Sequence, residues 1–568
     1  MLVFGILTFS CLYFYCIGYK FYGGLLDKEV IQPNDSKAPP SMEQNDGVDY
    51  VPSKPMVLFG HNFASIAGAG PVIGPIVAMH HFGWAVTICW ILLGNVFIGA
   101  VHDYVTLMVS VRNRGSSIAD IAEGSMGPHA KTVFSVFLLL AMLLVIAVFG
   151  VVAAKTLVAQ PQTVFPTFSI IPISIILGWA IYKKSANLTL ASIAGVVGLL
   201  VSIYIGFKFP IELSNEIFGF TALKIWFVVL LAYAAIASVT PVQVLLQPRD
   251  YLSTYVLFGS MSLGIVGLLW VRPELHTPAF LGGYSEGQGP VWPMLFVLVA
   301  CGAVSGFHSL VAGGTTSKQL SKESEGRFVS YGGMLTEGVV AVVTVLLIGG
   351  GLYWVAPVGG NIDMQTLGFR ETLKSGGWIL AFGNGYGNVV SQMLPILGFS
   401  VSSMIAVLAL NTFVLTTLDS AVRITRFITQ EAFGKRLPFF NDKYLATGIV
   451  VLLAYLIGAT DGWQKIWPIF GATNQLIAAV ALFVISSYLI GIKKPSKYTL
   501  YPAVFMILTT IAALAWQGFK FLSSPQPNYF LGITSLILIG LAIFVGMEGW
   551  RAVRNNRLEN FQTQATEA

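Results

Sequence analysis

Apolar runs long enough to cross a lipid bilayer recur from one end of this chain to the other. A run of about 18 or more apolar residues reads as a transmembrane helix. Fifteen such runs can be traced, among them 2–19, 56–80, 83–110, 291–312, 389–418, 444–460 and 529–550. Of the 568 residues, 55% are hydrophobic and only 10% are charged. Soluble domains carry about 25% charged residues, so a soluble fold is excluded. The predicted class is all-α, a polytopic membrane helix bundle of about 15 spans with discontinuous helices. The 59 glycines and 26 prolines do not oppose this, because neighbouring helices satisfy the backbone in membranes.

Assigned to their nearest loops, most of the 32 basic residues fall after the odd-numbered spans. The positive-inside rule then predicts an N-terminus outside and a C-terminus in the cytoplasm. The net charge of +6 is spent on this asymmetry and does not mark a nucleic-acid surface. Residues 1–22 lack a basic start and a small-residue cleavage site, so a retained N-terminal transmembrane helix is expected rather than a signal peptide. Residues 23–55 contain Pro33, Asn34, Asp35, Pro39 and Pro40 and read as a cytoplasmic loop. The core is expected over 56–490, C-terminal helices over 491–552 and a cytoplasmic tail over 553–568. Cys11, Cys16, Cys89 and Cys301 all sit in apolar runs, so neither a disulfide nor a metal site is expected.

Two runs carry helix-breaking residues at mid-membrane. One reads Gly68-Ala69-Gly70-Pro71, with Gly74-Pro75 just beyond. The other includes Ser305, Gly306, His308, Ser309, Gly313 and Gly314. Proline removes a backbone hydrogen bond and glycine permits non-helical dihedrals. Unwound backbone at that depth is tolerated only where it is enclosed by protein, and secondary transporters place their sites at such breaks. Gly68, Ala69, Gly70, Pro71, Ser305, His308 and Ser309 are therefore candidate substrate-binding residues. The alternative is that these glycines only let helices approach closely.

Ionisable residues inside spans are costly and are functional candidates by default. His61, His102, Asp103, His308 and Asp419 share the cytoplasmic halves of four spans under the predicted topology. His102 and Asp103, being adjacent, point different ways, so Asp103 needs a partner from another helix, with His61 or His308 the candidates. His61, His102, Asp103 and Asp419 are candidate proton-coupling groups, since a His beside a carboxylate titrates near neutral pH. A polar knot that fixes helix packing is the competing reading. Glu337 stands isolated in its span. Arg249 and Asp250 are expected at the cytoplasmic surface after a proline kink and, with Gln247, are candidate gating residues. Thr416, Thr417, Asp419 and Ser420 offer hard oxygen ligands for Na⁺ or a proton relay, or else cap a helix end. Gly383-Asn384-Gly385-Tyr386-Gly387 is expected in an outside loop and fails the context of a nucleotide site.

The stretches Phe59–Pro75, Ala100–Asp103, Leu246–Tyr251, Ser305–Gln319 and Thr416–Arg426 resemble the carbon starvation protein A family, in order and over nearly the whole chain. The resemblance implies an inner-membrane transporter linked to uptake of peptides during carbon starvation and to proton-coupled pyruvate uptake. It also implies the amino acid–polyamine–organocation superfamily, whose LeuT-like core is two inverted five-helix repeats. The runs at 56–80 and 291–312 would then be its first and sixth core helices. Thr416, Thr417 and Ser420 would lie where sodium-coupled relatives hold a cation. The partners implied are a peptide or pyruvate and the lipid bilayer. No cofactor is implied beyond a coupling proton or sodium. A starvation sensor or channel without coupled transport is the second reading. An intramembrane enzyme is the third, and it lacks paired aspartates or a His-Glu-x-x-His helix.

Overall fold

The computed structural model describes residues 2–126, 128–184, 187–214, 219–355, 367–434, 437–459 and 463–555. Most of the tail expected over 553–568 lies outside the described residues. The long helices, numbered in chain order, are α1 (Leu2–Ile17), α2 (Pro55–Ile66), α3 (Gly70–Phe82), α4 (Trp84–Arg112), α5 (Pro128–Ala159), α6 (Val164–Gly178), α7 (Leu188–Lys208), α8 (Ala222–Val239) and α9 (Leu246–Val271). They continue with α10 (Val291–Leu298), α11 (Gly306–Gly314), α12 (Glu323–Gly351), α13 (Phe369–Met393), α14 (Gly398–Phe433), α15 (Lys443–Gly458), α16 (Trp463–Gly491), α17 (Lys497–Ser523) and α18 (Tyr529–Asn555).

Among the described residues, eleven helices are long and apolar enough to cross a bilayer, and α2 with α3, bent by 42°, makes a twelfth. The expected count of fifteen is not established by this measure. The run at 2–19 lies in the 16-residue α1, that at 444–460 in the 16-residue α15, and that at 291–312 in short α10 and α11. The centre and rim of the bundle separate clearly. In α16 the apolar stretch Ile469–Gly491 is 100% buried, whereas in α7 and α18 only 28% and 33% is buried. Ile193, Val197 and Leu200 on α7 and Ile533, Leu536 and Ile537 on α18 are exposed. An apolar rim around a buried centre is stable only when lipid covers the rim.

Two stretches fold differently from their sequence reading. The helix that begins at Leu2 runs on through two wide π-helical turns to Ile31, so the polar connection starts at Gln32 and not at 23. The run at 389–418 is two helices that meet near Pro395. Asn388 Nδ2 donates to the Gly351 carbonyl at 2.8 Å, and Gly387 faces Phe399 and Ser403. Thus α13 packs on the last turn of α12 and the first turns of α14, which lie at one end of the bundle. Gly383–Gly387, expected in a loop, is helical and buried there. Periodicity missed it because glycine, asparagine and serine interrupt the apolar pattern of α13.

Residues 32–54 form a strap across the opposite end. Val51 and Ser53 donate their N–H groups to the Lys318 and Gln319 carbonyls at 3.1 and 3.0 Å. Ser41 Oγ donates to the Leu320 carbonyl at 2.6 Å. Asp49 pairs with Arg423 at 2.7 Å, and Asn34 N–H donates to Glu323 at 2.8 Å.

Candidate functional site

The two broken helices lie against each other in antiparallel register. Residues 67–69 separate α2 from α3, and 299–305 separate α10 from α11. A Cβ on Gly70 would collide with the Cβ and Sγ of Cys301, and one on Gly74 would lie 2.6 Å from the Leu298 carbonyl oxygen. On the other side of the breaks, Thr316 Oγ1 donates to Asn62 Oδ1 at 2.8 Å. So α3 runs beside α10, and α2 beside α11. Glycine is required at Gly70 because the second break occupies the space a side chain would need.

The break residues are themselves held by neighbours. Thr417 Oγ1 donates to the Ser65 carbonyl at 2.9 Å and accepts the Gly68 N–H at 3.0 Å. Thr416 Oγ1 lies 2.6 Å from the Ala64 carbonyl oxygen, and Ser420 Oγ lies 2.9 Å from Ser65 Oγ. Thr416 and Thr417 therefore address the carbonyls freed at the end of α2 and Ser420 the Ser65 hydroxyl, and none of the three caps α14, which continues to Phe433. At the second break, Asn474 of α16 accepts the Phe307 N–H at 2.9 Å, and its Nδ2 donates to Ser305 Oγ at 3.0 Å. Asn474 thus caps the N-terminus of α11. Ser309 Oγ donates within its own helix to the Gly306 carbonyl at 2.7 Å. Ala69 begins the first turn of α3, its carbonyl accepting the Ile73 N–H at 2.9 Å, and Pro71 follows at the second helical position.

A buried ionisable cluster lies directly behind the breaks. Asp103 accepts from His102 Nδ1 at 2.8 Å on one oxygen and from His308 Nδ1 at 2.8 Å on the other. The expected His308 partnership is present, but the adjacency argument against a His102–Asp103 contact is overturned. The aspartate side chain is short enough to turn back to the preceding imidazole. Glu337 of α12 is not isolated, since its carboxylate lies 3.2 Å from His308 Nε2. All four side chains are buried.

His61 belongs to a different cluster. Its Nδ1 lies 2.6 Å from Asp250 Oδ2. Arg249 pairs with Asp250 at 2.7 Å and also contacts Asp419. Tyr233 OH accepts from Arg249 at 2.5 Å and donates to Asp419 at 3.0 Å. Arg249 and Asp250, expected at the surface, are buried because α9 begins at Leu246 and carries them inward on its first turns. Gln247 Nε2 lies 2.7 Å from Ser53 Oγ of the strap and 2.6 Å from Gln319 Oε1. The candidate gating residues thus join the strap to a buried charge chain that reaches α2 and α14. Sequence reasoning missed Tyr233, Asn474 and Asp49. An uncharged or loop residue carries no signal until its partner is known.

Two cavities border these groups. One starts at Val72, just past the first break, and runs between α9, α12, α13 and α14. The other lies between α6, α7, α8, α9 and α14 and meets Arg249 and Tyr233. It does not touch the breaks, whereas the first cavity adjoins α3 just beyond them.

A multi-pass helical membrane protein with two antiparallel broken helices, closed at one end by a strap and a charge chain, has the build of a secondary transporter. Its residues 4–357 and 361–513 match the family described as carbon starvation protein CstA, and the chain belongs to that family. It is 30% identical to the pyruvate/proton symporter BtsT of Escherichia coli (strain K12), over 95% of this chain and 90% of that protein. It is 34% identical to the peptide transporter CstA of Campylobacter jejuni, over 88% and 78%, and 31% identical to that of Bacillus subtilis, over 94% and 95%. Among solved structures it is similar to MhsT in complex with L-phenylalanine, at a TM-score of 0.48 and 13% identity over 86% of this chain and 99% of that one. An Eremococcus coleocola manganese transporter matches at a TM-score of 0.40 and 12% identity, over 90% and 99%.

Proposed function

We propose that this chain is a proton-coupled symporter of the cell inner membrane that takes up a small carboxylate-bearing solute, pyruvate or a short peptide, during carbon starvation. The observation that carries this reading is the His102–Asp103–His308 cluster, held on α4 just beyond its wide π-helical turn (Asn95–Gly99) and on the first turn of α11, directly behind the contact of the two breaks. A proton exchanged there changes the charge next to the backbone that must move for the solute to pass. The pyruvate/proton symporter among the relatives supports the coupling ion. The peptide transporters support the second solute.

The solute's carboxylate would sit at the breaks, near Gly68, Ala69, Gly70, Pro71, Ser305, His308 and Ser309. At the α11 N-terminus Asn474 occupies the Phe307 N–H, and at the α3 N-terminus Pro71 has no N–H while Ala69 accepts those of Val72 and Ile73, so the carboxylate would face the remaining first-turn N–H groups of the two helices. Thr416, Thr417 and Ser420 are the hydroxyls that would hold Na⁺, and a proton is preferred as the coupling ion because of the His102–Asp103–His308 cluster and the pyruvate/proton symporter among the relatives. Gln247, Arg249 and Asp250 form the gate at the strap end. The distribution of basic residues favours placing that end in the cytoplasm, with the N-terminus outside and the C-terminus inside.

The test is uptake of labelled pyruvate and a labelled dipeptide into proteoliposomes, with and without an inward proton gradient. Accumulation of one of them, abolished by a protonophore, is expected and identifies the solute. Equilibration without accumulation by folded protein would sink the symport reading.

A further inference from the structure

Glu337 sits at the centre of α12, fully buried, and its neighbours leave it unsatisfied. Among the described residues neither carboxylate oxygen has a hydrogen-bond partner, and the 3.2 Å approach of His308 Nε2 is not aligned as a hydrogen bond. Tyr15 OH from α1 and Asn95 Oδ1 from the wide turn of α4 are likewise buried without partners. Both side chains flank the next residue, since a Cβ on Gly338 would lie 2.5 Å from Tyr15 OH and 2.6 Å from Asn95 Nδ2. Asn95 Nδ2 is committed to the Gly302 and Met334 carbonyls at 3.0 and 2.8 Å and does not serve the carboxylate. The titratable groups facing Glu337 are His308 from α11, Asp103 from α4, Tyr15 from α1 and Cys301 from the second break.

A carboxylate kept for packing would be hydrogen-bonded, because an ionised one without partners is costly to bury. Asp103 meets that condition with two imidazoles, and Glu337 does not. His308 stands between the two carboxylates, with Nδ1 on Asp103 and Nε2 toward Glu337. We infer that Glu337 carries the transported proton and passes it to His308 Nε2. In that step the O–H bond of Glu337 breaks and an N–H bond forms on His308. The resulting imidazolium lies between the Glu337 and Asp103 carboxylates, and the transfer leaves the total charge of the relay unchanged. Tyr15 and Asn95 both border the adjacent Gly338. This rests on the symport reading and adds the residue on which the proton rides.

The experiment compares the unmutated protein with Glu337→Gln and Glu337→Asp in proteoliposomes, using labelled pyruvate and labelled dialanine. Two modes are read: accumulation under an inward proton gradient, and exchange of internal for external solute without a gradient. If the unmutated protein accumulates neither solute, the symport reading fails and takes this inference with it. If it accumulates one, Glu337 is tested alone. The expected result is that Glu337→Gln keeps exchange and loses accumulation, while Glu337→Asp accumulates with a shifted pH profile. Accumulation by Glu337→Gln at the unmutated level overturns the inference. So does loss of exchange in both variants when both are monodisperse, which would assign Glu337 to the solute site or to structure. Where Glu337→Gln yields no monodisperse protein, Glu337→Asp decides: a shifted pH profile supports the inference and an unchanged one overturns it.

Discussion

At the scale of single residues, charge is the resource this protein uses most sparingly. Arg249 lies on the first turn of α9, where the helix dipole disfavours a cation. It is tolerated because Asp250 and Asp419 both contact it and Tyr233 completes the set. Removing the cation alone strands two buried carboxylates. Arg249→Met is therefore expected to cost about 3–5 kcal/mol, read as a lowered melting temperature in detergent. Arg249→Met combined with Asp419→Asn should recover part of that loss. An equal loss in the double variant would mean that Arg249 acts through packing. Asp103 invites the parallel change. Asp103→Asn should abolish proton-driven accumulation, and fully proton-driven uptake by that variant would remove Asp103 from the coupling path.

At the scale of elements, the breaks depend on mutual fit. Gly70→Ala should impair transport severely because the new Cβ meets Cys301. Adding Cys301→Gly, which removes the opposing Cβ and Sγ, should restore part of it. If the pair is no better than Gly70→Ala alone, the clash with Cys301 is not what impairs transport in that variant. Asn474→Ala should destabilise by about 1–2 kcal/mol, the loss of a helix cap, measured by thermal unfolding. The first break was legible because Gly-Ala-Gly-Pro has few other uses in mid-membrane. The second was readable only as a glycine- and hydroxyl-rich stretch. α13 could not be read, and of the contact partners only that of Asp103 was anticipated, as His61 or His308. The former lacks an apolar pattern, and the latter depend on which helices the fold brings together. His61 illustrates this: depth placed it with His102 and Asp103, but lateral position gives it to Asp250.

At the scale of the whole molecule, the strap and the charge chain close one end. The strap's outer tether includes Asp35, which accepts Ser324 Oγ at 2.6 Å and Ser324 N–H at 2.9 Å. These bonds from Ser324 hold the Asp35 carboxyl below its usual range. A depressed folded value means that the tether's contribution is fully present above the ordinary aspartate value of about 3.9 and is lost only as pH falls through the lower one. Amide protection of residues 32–54 should therefore stay level from neutral to mildly acidic pH. A loss of protection near neutrality would require a different titrating group. Asp49→Asn, which weakens the pairing with Arg423, should instead raise exchange in the strap throughout that range.

Coupling is the property that joins these scales, and it is observable without an imposed gradient. In sodium-free proteoliposomes holding a pH-sensitive dye, addition of external solute should draw protons inward and acidify the lumen, with Asp103→Asn silent. Solute entry with no acidification, or entry that appears only when sodium is restored, would contradict proton symport.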